Sequence, residues 1–267
     1  MASEKAGLLP AMFKLDGRVA LVTGGTRGLG WEMAKAFAAA GADVVVSSRH
    51  EEACAAAAAT LAESGAKAIG IPCHVGRWSE LDRLAQEAQS WQGSIDVLVN
   101  NAGISPVYGR LGDVSEDLWD KVMAVNLKGP FRLSALIGES MKERGRGSII
   151  NVSSIGAVRP TKDIIPYAAA KAGLHALTAG LAGALGPEVR VNCVMPGPFL
   201  TDISSHWDLE AFGQLSQSYP LRRGGQPSEI VGTALYLASD SSSFTTGAVI
   251  AVDGGAQWAQ GTASVQP

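Results

Sequence analysis

Residues 18–30 read R-V-A-L-V-T-G-G-T-R-G-L-G, and this stretch decides the fold. Its first six residues are an almost continuous apolar run, which predicts a strand covered on both faces. Gly24, Gly28 and Gly30 follow directly. Glycines at such a point let the backbone turn tightly and approach a pyrophosphate, and the helix predicted from residue 28 offers its N-terminal N–H groups. The spacing differs from the common G-x-G-x-x-G, so the stretch alone also fits an ordinary glycine turn.

The rest of the chain repeats this alternation of β-branched runs and helical stretches. Strands that are apolar throughout and separated by helices indicate βαβ units, which build a doubly wound parallel sheet with helices on both faces. We therefore predict an α/β fold. The predicted strands are residues 18–23, 43–48, 66–72, 95–100, 148–153, 189–194 and 248–252, and the predicted helices are residues 28–40, 51–64, 79–91, 117–144, 166–185 and 227–238.

The same alternation predicts the domain organisation. One domain covers residues 15–258, between an N-terminal arm (1–14) and a C-terminal tail (259–267). Residues 197–225 interrupt the alternation and carry large aromatic side chains among polar ones beyond residue 202, which is typical of a substrate lid. These aromatic side chains are Trp207, Phe212 and Tyr219.

The composition argues against several classes of protein. The 22 Lys and Arg nearly balance the 25 Asp and Glu, so the basic surplus that nucleic-acid binding requires is missing. The longest stretch without a formal charge, residues 172–187, is shorter than the roughly 18 apolar residues that a membrane span needs. There is no signal-peptide run at the N-terminus, and the three cysteines have neither disulfide-framework nor metal-site spacing. We therefore expect a cytoplasmic protein without a metal site.

The end of the second predicted strand indicates which dinucleotide fits. NAD-binding proteins place an Asp or Glu there to accept from the ribose 2′-hydroxyl, but residues 47–50 read S-S-R-H. Arg49 suits a 2′-phosphate instead, with Arg27 of the glycine loop as a second clamp. Two cations and no carboxylate favour NADP(H) over NAD(H), although a solvated loop arginine would give the same pattern.

Three further residues suit acid–base chemistry. Tyr167 and Lys171 are four apart on a predicted helix and therefore share a face. A phenol with a pKa of about 10 is a poor base at neutral pH, and a nearby ammonium lowers that pKa. Ser154, at the end of the fifth strand, suits donation to a carbonyl oxygen as negative charge develops. Taken alone, Y-x-x-x-K is more often a core tyrosine beside a solvent-seeking lysine.

Two more motifs follow predicted strands. N-N-A-G at residues 100–103 follows the fourth strand, and Pro196 and Gly197 follow the sixth, with Thr201 shortly after. All these motifs would meet at the carboxyl edge of a parallel sheet, where open α/β sheets bind ligands.

Together these motifs resemble a classical short-chain dehydrogenase/reductase over residues 15–258. The resemblance is carried by residues 23–30, 100–103, V-N-L-K-G-P-F at 125–131, Ser154, Y-A-A-A-K at 167–171 and V-R-V-N-C-V-M-P-G at 189–197. It implies one Rossmann-fold domain with a seven-stranded parallel sheet in the order 3-2-1-4-5-6-7, and a homotetramer.

The resemblance also implies roles for individual residues. Tyr167 would be the acid/base, Lys171 would lower its pKa and hold the nicotinamide ribose, Ser154 would orient the carbonyl, and Asn126 would hold a water in a proton relay. The predicted cofactor contacts are Gly24, Thr26, Arg27, Gly28, Leu29, Gly30, Ser48, Arg49, Val75, Asn101, Ala102, Gly103, Tyr167, Lys171, Pro196, Gly197, Phe199 and Thr201.

One segment indicates which branch of the family the chain resembles, and another departs from the family pattern. V-V-V-S-S-R-H at residues 44–50 is similar to the NADPH-dependent carbonyl and tropinone reductase branch. C-H-V-G at residues 73–76 departs from the usual pattern, because His74 stands in place of an acid and leaves the Val75 backbone as the expected contact.

We therefore predict hydride transfer between NADP(H) and a carbonyl or secondary alcohol of a small molecule. The alternatives are an NAD-dependent alcohol or polyol dehydrogenase, a 3-oxoacyl-carrier-protein reductase and a non-catalytic cofactor-binding protein. An acyl-carrier partner would need a basic patch beside the site, for which Arg222 and Arg223 are the candidates.

Overall fold

A computed structural model describes residues 11–259 of the chain, apart from residues 203, 205 and 206. Most of the predicted N-terminal arm (residues 1–10) and of the predicted tail (residues 260–267) therefore lie outside the described residues. The predicted alternation of strands and helices continues throughout the described part of the chain.

A single sheet of seven parallel strands forms the centre of the molecule. Its order is β3-β2-β1-β4-β5-β6-β7, which confirms the predicted topology. The first strand lies in the middle, with Ala20 beside Val44 on one side and Val97 on the other. The strands are β1 (Val19–Thr23), β2 (Asp43–Ser48), β3 (Ala68–Pro72), β4 (Val97–Asn100), β5 (Gly147–Val152), β6 (Val189–Pro196) and β7 (Val249–Val252).

Helices connect the strands, and two of them differ from the prediction. The helix expected over residues 117–144 is divided by a π-helical turn at Ala124–Lys128, and the lid segment contains a helix of its own. None of the helices in the described part has the length and apolar character required to cross a membrane. The α-helices are α1 (Gly28–Ala39), α2 (Glu51–Glu63), α3 (Trp78–Gln92), α4 (Glu116–Met123), α5 (Gly129–Glu143), α6 (Ile165–Leu185), α7 (Leu209–Ser216) and α8 (Val231–Ala238).

The side chains of each strand alternate between two apolar cores. Ala20 and Val22 of β1 point into a core with Phe37 of α1, whereas Leu21 points into a second core with Leu84 of α3. This alternation explains why the strand sequences are apolar throughout. Truncating the fully buried Phe37 to alanine would cost about 3–5 kcal/mol of stability.

The amino edge of the sheet is fastened by one buried carboxylate. Asp96 is only 2% exposed and accepts a hydrogen bond from the Val19 N–H at 2.9 Å. It also pairs with Arg144 at 3.1 Å and with Arg146 at 3.3 Å. One side chain therefore ties the start of β1 to the segment before β4 and to the end of α5.

Candidate active site

The glycine loop lies between β1 and α1 and has the form of an anion cradle. Gly24 and Gly28 have positive φ angles of +62° and +55°, which favour residues without a Cβ. A Cβ on Gly28 would point across the loop to within 3.7 Å of the Thr201 side chain. Arg27 occupies the N-cap of α1, and no side chain caps that helix. The N-terminal N–H groups of α1 thus stay available to an anion.

Two side chains hold this loop against the segment that follows β4. The Asn101 amide donates to the carbonyls of Thr23 (3.0 Å) and Gly24 (3.1 Å). The Thr23 hydroxyl accepts from the N–H groups of Asn101 (3.0 Å) and Ala102 (3.2 Å). Both amide hydrogens of Asn101 are therefore used within the protein. Thr23 is a site residue without a predicted role, and its position at the end of an apolar strand is the feature of the sequence that points to it.

The two predicted phosphate clamps are exposed at the same edge. Arg27 and Arg49 have solvent-exposed side chains, and neither pairs with a carboxylate among the described residues. The Ser48 hydroxyl lies 3.2 Å from the Cys54 sulfur. This cationic, acid-free strand end fits a phosphate on the ribose better than a bare 2′-hydroxyl.

His74 and Val75 follow β3 and are fixed by the start of α3. The His74 N–H donates to a Glu80 carboxylate oxygen at 2.6 Å, and its ring Nδ1 accepts from the Gly76 N–H at 3.2 Å. The first of these bonds, together with Arg77, holds the pKa of Glu80 below its usual value. The backbone N–H and the ring Nδ1 of His74 are therefore both used within the protein.

Lys171 is buried at the centre of the edge. Its side chain is 3% exposed, and its Nζ donates to the Val152 carbonyl at 2.8 Å. Burial lowers the pKa of the Lys171 ammonium to about 8. A Cβ on Gly103 would lie 3.6 Å from this Nζ and 2.9 Å from Asn126 Oδ1, so the bare backbone of residue 103 lies close to both groups.

Asn126 lies in the π-helical turn between α4 and α5. Its amide donates to the carbonyls of Ile104 and Val122, both at 2.9 Å, and its oxygen accepts from the Ile104 N–H at 3.3 Å. Pro130 has no N–H, so the Asn126 carbonyl lacks its usual α-helical partner. The Asn126 side chain therefore positions the loop after β4.

Ser154 and Tyr167 meet beside Lys171. Both side chains flank Gly156, where an added Cβ would lie 3.4 Å from Ser154 Oγ and 3.5 Å from Tyr167 Cε1. The Ser154 hydroxyl accepts from the Gly156 N–H at 3.1 Å. Burial raises the pKa of Tyr167, and the neighbouring Ser154 hydroxyl only partly opposes this. The Lys171 Nζ lies 5.7 Å from the centre of the Tyr167 ring. The expectation that Lys171 lowers this pKa stays a prediction.

The segment after β6 closes the edge from the other side. Pro196 ends the strand, and Gly197 donates to the Val252 carbonyl at 3.0 Å. Phe199 is buried and pairs with Gly225 at the far end of the predicted lid. Three aromatic rings of the predicted lid form a row in which each contacts the next. The ring centres of Trp207 and Phe212 are 5.1 Å apart, and those of Phe212 and Tyr219 are 6.5 Å apart.

The two arginines proposed as a basic patch behave differently. Arg223 makes a two-pronged ion pair with Glu229, with both distances 2.6 Å. Arg222 is exposed and has a φ of +52°, the left-handed region that costs a non-glycine residue about 1–2 kcal/mol. Only one of the two cations is therefore available to an acidic partner.

The cysteines are poor candidates for chemistry. All three are buried free thiols, and burial raises the pKa of Cys73 to about 12 and that of Cys193 to about 11. A protonated buried thiol is a weak nucleophile and a weak metal ligand. Among the described residues, no group of three or more His, Cys, Asp and Glu side chains is arranged to hold a metal ion.

Comparison with known proteins gives consistent results. A family model described as enoyl-(acyl carrier protein) reductase matches residues 24–257. Dehydrogenase/reductase SDR family member 4 from Homo sapiens is 39% identical over 244 residues, which cover 90% of this chain and 88% of that protein.

Two solved structures are similar over nearly the whole chain. A gluconate 5-dehydrogenase from Burkholderia cenocepacia J2315, in complex with NADP and tartrate, is 34% identical with a TM-score of 0.90, over 94% of this chain and 100% of that one. The NADPH-dependent 3-quinuclidinone reductase from Rhodotorula rubra is 31% identical with a TM-score of 0.87, over 93% of this chain and 94% of that one.

Proposed function

The chain belongs to the short-chain dehydrogenase/reductase family, and we propose that it is an NADP(H)-dependent enzyme that interconverts a carbonyl and a secondary alcohol. The observation that carries the proposal is that Ser154 and Tyr167 lie together beside a buried Lys171, at the sheet edge that also carries Arg27 and Arg49.

The residues for holding NADP(H) lie along the sheet edge. The uncapped N-terminus of α1 and the glycine loop suit the pyrophosphate, and Arg27 and Arg49 suit the 2′-phosphate. Lys171 and Gly103 are the groups beside the nicotinamide ribose. When bound, NADP(H) supplies the hydride donor or acceptor. The similar structures, one with bound NADP and one NADPH-dependent, support this choice. We propose that the chain belongs to the NADPH-using carbonyl and tropinone reductase branch.

The protein's own groups favour the direction of reduction. A Tyr167 phenol with a raised pKa stays protonated at neutral pH, so it can give its proton to the oxygen of the nascent alkoxide. The Ser154 hydroxyl donates to the same oxygen as its negative charge develops. Lys171 then returns a proton to Tyr167, with the carbonyl of Asn126 as the site for a relay water.

Apolar side chains in the loops next to Ser154 and Tyr167, the proposed substrate side of the site, favour an apolar carbonyl compound. Val107, Val158 and Ile165 expose apolar side chains on the loop after β4, the loop after β5 and the start of α6. We propose that residues 197–225 form the lid over this side, with Phe212 and Tyr219 in its aromatic cluster. An acyl-carrier substrate is less well supported, since the ion pair of Arg223 with Glu229 removes one of its two candidate cations.

We also propose that the enzyme works as a cytoplasmic homotetramer. Beyond the family resemblance, the support is a set of apolar side chains left exposed on the single chain. Phe244 before β7 is fully exposed, and Val249 on this edge strand is partly exposed. Trp78 and Phe131 form another exposed apolar surface, with their ring centres 6.5 Å apart. Second copies of the chain would cover such faces.

The test measures how fast the protein consumes NADPH or NADH when it is given ketones, quinones, keto sugars or β-ketoacyl thioesters as substrates. We expect turnover of apolar ketones or quinones with NADPH at least about 10-fold above the rate with NADH, in line with charge-assisted recognition of the extra phosphate. Turnover with NADH alone, or only with keto sugars or thioesters, would favour the polyol dehydrogenase or acyl-carrier alternatives. Tight NADPH binding without any turnover would indicate the non-catalytic alternative.

A further inference from the structure

Tyr108 makes an unusual pair of contacts on the substrate side. It lies in the loop after β4, and its hydroxyl donates to the Lys162 carbonyl at 2.8 Å. The same oxygen accepts from the N–H of Ile165 at 3.0 Å. Ile165 is the first residue of α6, the helix that carries Tyr167 and Lys171. A side chain more than fifty residues away in sequence therefore contacts the start of this helix.

Helix α6 has no cap of its own. Its N-cap residue, Ile164, has no side-chain oxygen, and residue 166 is a proline without an N–H. The first N–H groups of a helix have no partner inside the helix, and a missing cap costs about 1 kcal/mol. The Tyr108 hydroxyl thus takes the place of a local cap, two residues before Tyr167.

The capped turn also ends the segment that joins Ser154 to Tyr167. This segment of twelve intervening residues is fastened at Arg159, whose guanidinium donates to the carbonyls of Ala256 and Ala259, both at 2.8 Å. Tyr108 fastens its other end. The position of Tyr167 relative to Ser154 therefore depends on two clamps, of which Tyr108 is the nearer to the phenol.

We propose that Tyr108 is a positioning residue that sets the Ser154–Tyr167 geometry by capping α6 from the loop after β4. This inference rests on the proposed function. The single hydroxyl proton of Tyr108 is used on Lys162, so it does not donate to a substrate. Its effect passes through the helix, where a displacement of about 1 Å at the reacting groups can cost up to 100-fold in rate.

The test is Tyr108→Phe, which removes both hydrogen bonds and keeps the ring. We expect kcat for carbonyl reduction to fall about 10-fold, while the Kd for NADPH stays within about twofold. The matched control is Tyr236→Phe. The Tyr236 hydroxyl also makes a hydrogen bond, at 2.7 Å to Thr245, but it lies on α8 away from the site. We expect this control to keep normal kcat with a similar change in Tm.

A double-mutant cycle separates positioning from a general structural effect. If Tyr108 acts through the Ser154–Tyr167 pair, Tyr108→Phe should cost less than about threefold in a Ser154→Ala background, because the geometry it sets is already broken. A repeated 10-fold loss in that background, or an unchanged kcat in the single variant, would overturn the inference.

A second measurement does not need turnover. Hydrogen exchange of a peptide covering residues 158–168 should be about 10-fold faster at the start of α6 in Tyr108→Phe than in the parent or in Tyr236→Phe. Unchanged exchange there would refute the capping role even if the enzyme had no activity. Absence of turnover in the parent protein would refute the proposed function. The hydrogen-exchange result alone would then decide the capping role of Tyr108.

Discussion

The two edges of the sheet use charge in opposite ways. At the amino edge, buried Asp96 is matched by two arginines and a backbone N–H, and Arg18 pairs with Asp240 at 2.6 Å. At the carboxyl edge, Arg27 and Arg49 have no carboxylate partner among the described residues. Lys171 is buried, its Nζ donates to the Val152 carbonyl, and it forms no ion pair with a carboxylate within the described part of the chain.

The difference distinguishes charges that hold the fold from charges that remain available to a ligand. A paired buried charge fixes two elements, and removing one partner leaves the other without compensation. An unpaired cation adds nothing to stability, but it is ready for an anion from outside the protein. Substitutions at the amino edge should therefore change stability and leave binding unchanged, and those at the carboxyl edge should do the reverse.

The largest expected effect is at Lys171. Lys171→Met should lower kcat about 10³-fold, because the proton transfer that it supports contributes about 10²–10⁴-fold. The Tm should stay the same or rise, since a buried cation without a carboxylate partner is replaced by an apolar chain of similar length. Steady-state kinetics and thermal denaturation check this. A variant that lost its stability along with its activity would contradict the contrast between the edges.

The corresponding substitution at the amino edge is Asp96→Asn. We expect a loss of about 3 kcal/mol in the free energy of unfolding, because a buried carboxylate with two arginine partners is removed. Urea denaturation measures this loss. The Kd for NADPH should stay within about twofold for the folded fraction. A tenfold weaker Kd would mean that the amino edge also contributes to binding.

The next effect concerns cofactor choice. Arg49→Asp should shift the ratio of kcat/KM for NADPH over NADH about 100-fold towards NADH, since it removes one charge-assisted contact and adds repulsion. Lys121→Asp makes the same change of charge on α4 and should leave the ratio unchanged. An unaltered ratio in Arg49→Asp would exclude Arg49 as the phosphate clamp.

The pH dependence follows from the pKa of Lys171, which burial lowers to about 8. The ammonium is present below this pH and is lost as the pH rises through it. We therefore expect kcat/KM for NADPH, which reports on the free enzyme, to be level up to about pH 7.5 and to fall up to 10-fold per unit above about pH 8. Lys171→Arg should keep any residual activity free of this decline. A level profile to pH 10 in the parent would contradict the assignment.

The smallest effect is at Arg222, whose φ is +52°. Arg222→Gly should raise the free energy of unfolding by about 1 kcal/mol, because glycine adopts the left-handed region without steric cost. Arg223→Gly is the contrast. It breaks the ion pair with Glu229 and adds chain freedom, so it should destabilise the protein. A loss of stability in Arg222→Gly would show that this arginine makes a contact that outweighs its strain.

The sequence predicted the sheet and the core of the candidate site because both depend on local patterns. Apolar runs define strands, glycines mark the turn after β1, and the i, i+4 spacing puts Tyr167 and Lys171 on one face. Contacts between distant segments leave no such pattern. Neither the cap that Tyr108 provides for α6 nor the bond of Asn101 to Gly24 is visible in the sequence.

Two differences have a physical origin that local patterns do not contain. The π-helical turn at Asn126 interrupts a stretch with ordinary helical periodicity, and only the proline at residue 130 hinted at it. The raised pKa of Tyr167 reflects burial in the folded protein, which the residues around it in the sequence do not reveal.

The central claim is that Tyr167 supplies the proton in an NADP(H)-dependent carbonyl reduction. Tyr167→Phe removes only the hydroxyl, so the Kd for NADPH, measured by fluorescence titration, should stay within about threefold, while kcat falls by about 10³-fold or more. Turnover within about 10-fold of the parent enzyme, at unchanged Kd, would contradict the account, because the proton would then have to come from another group.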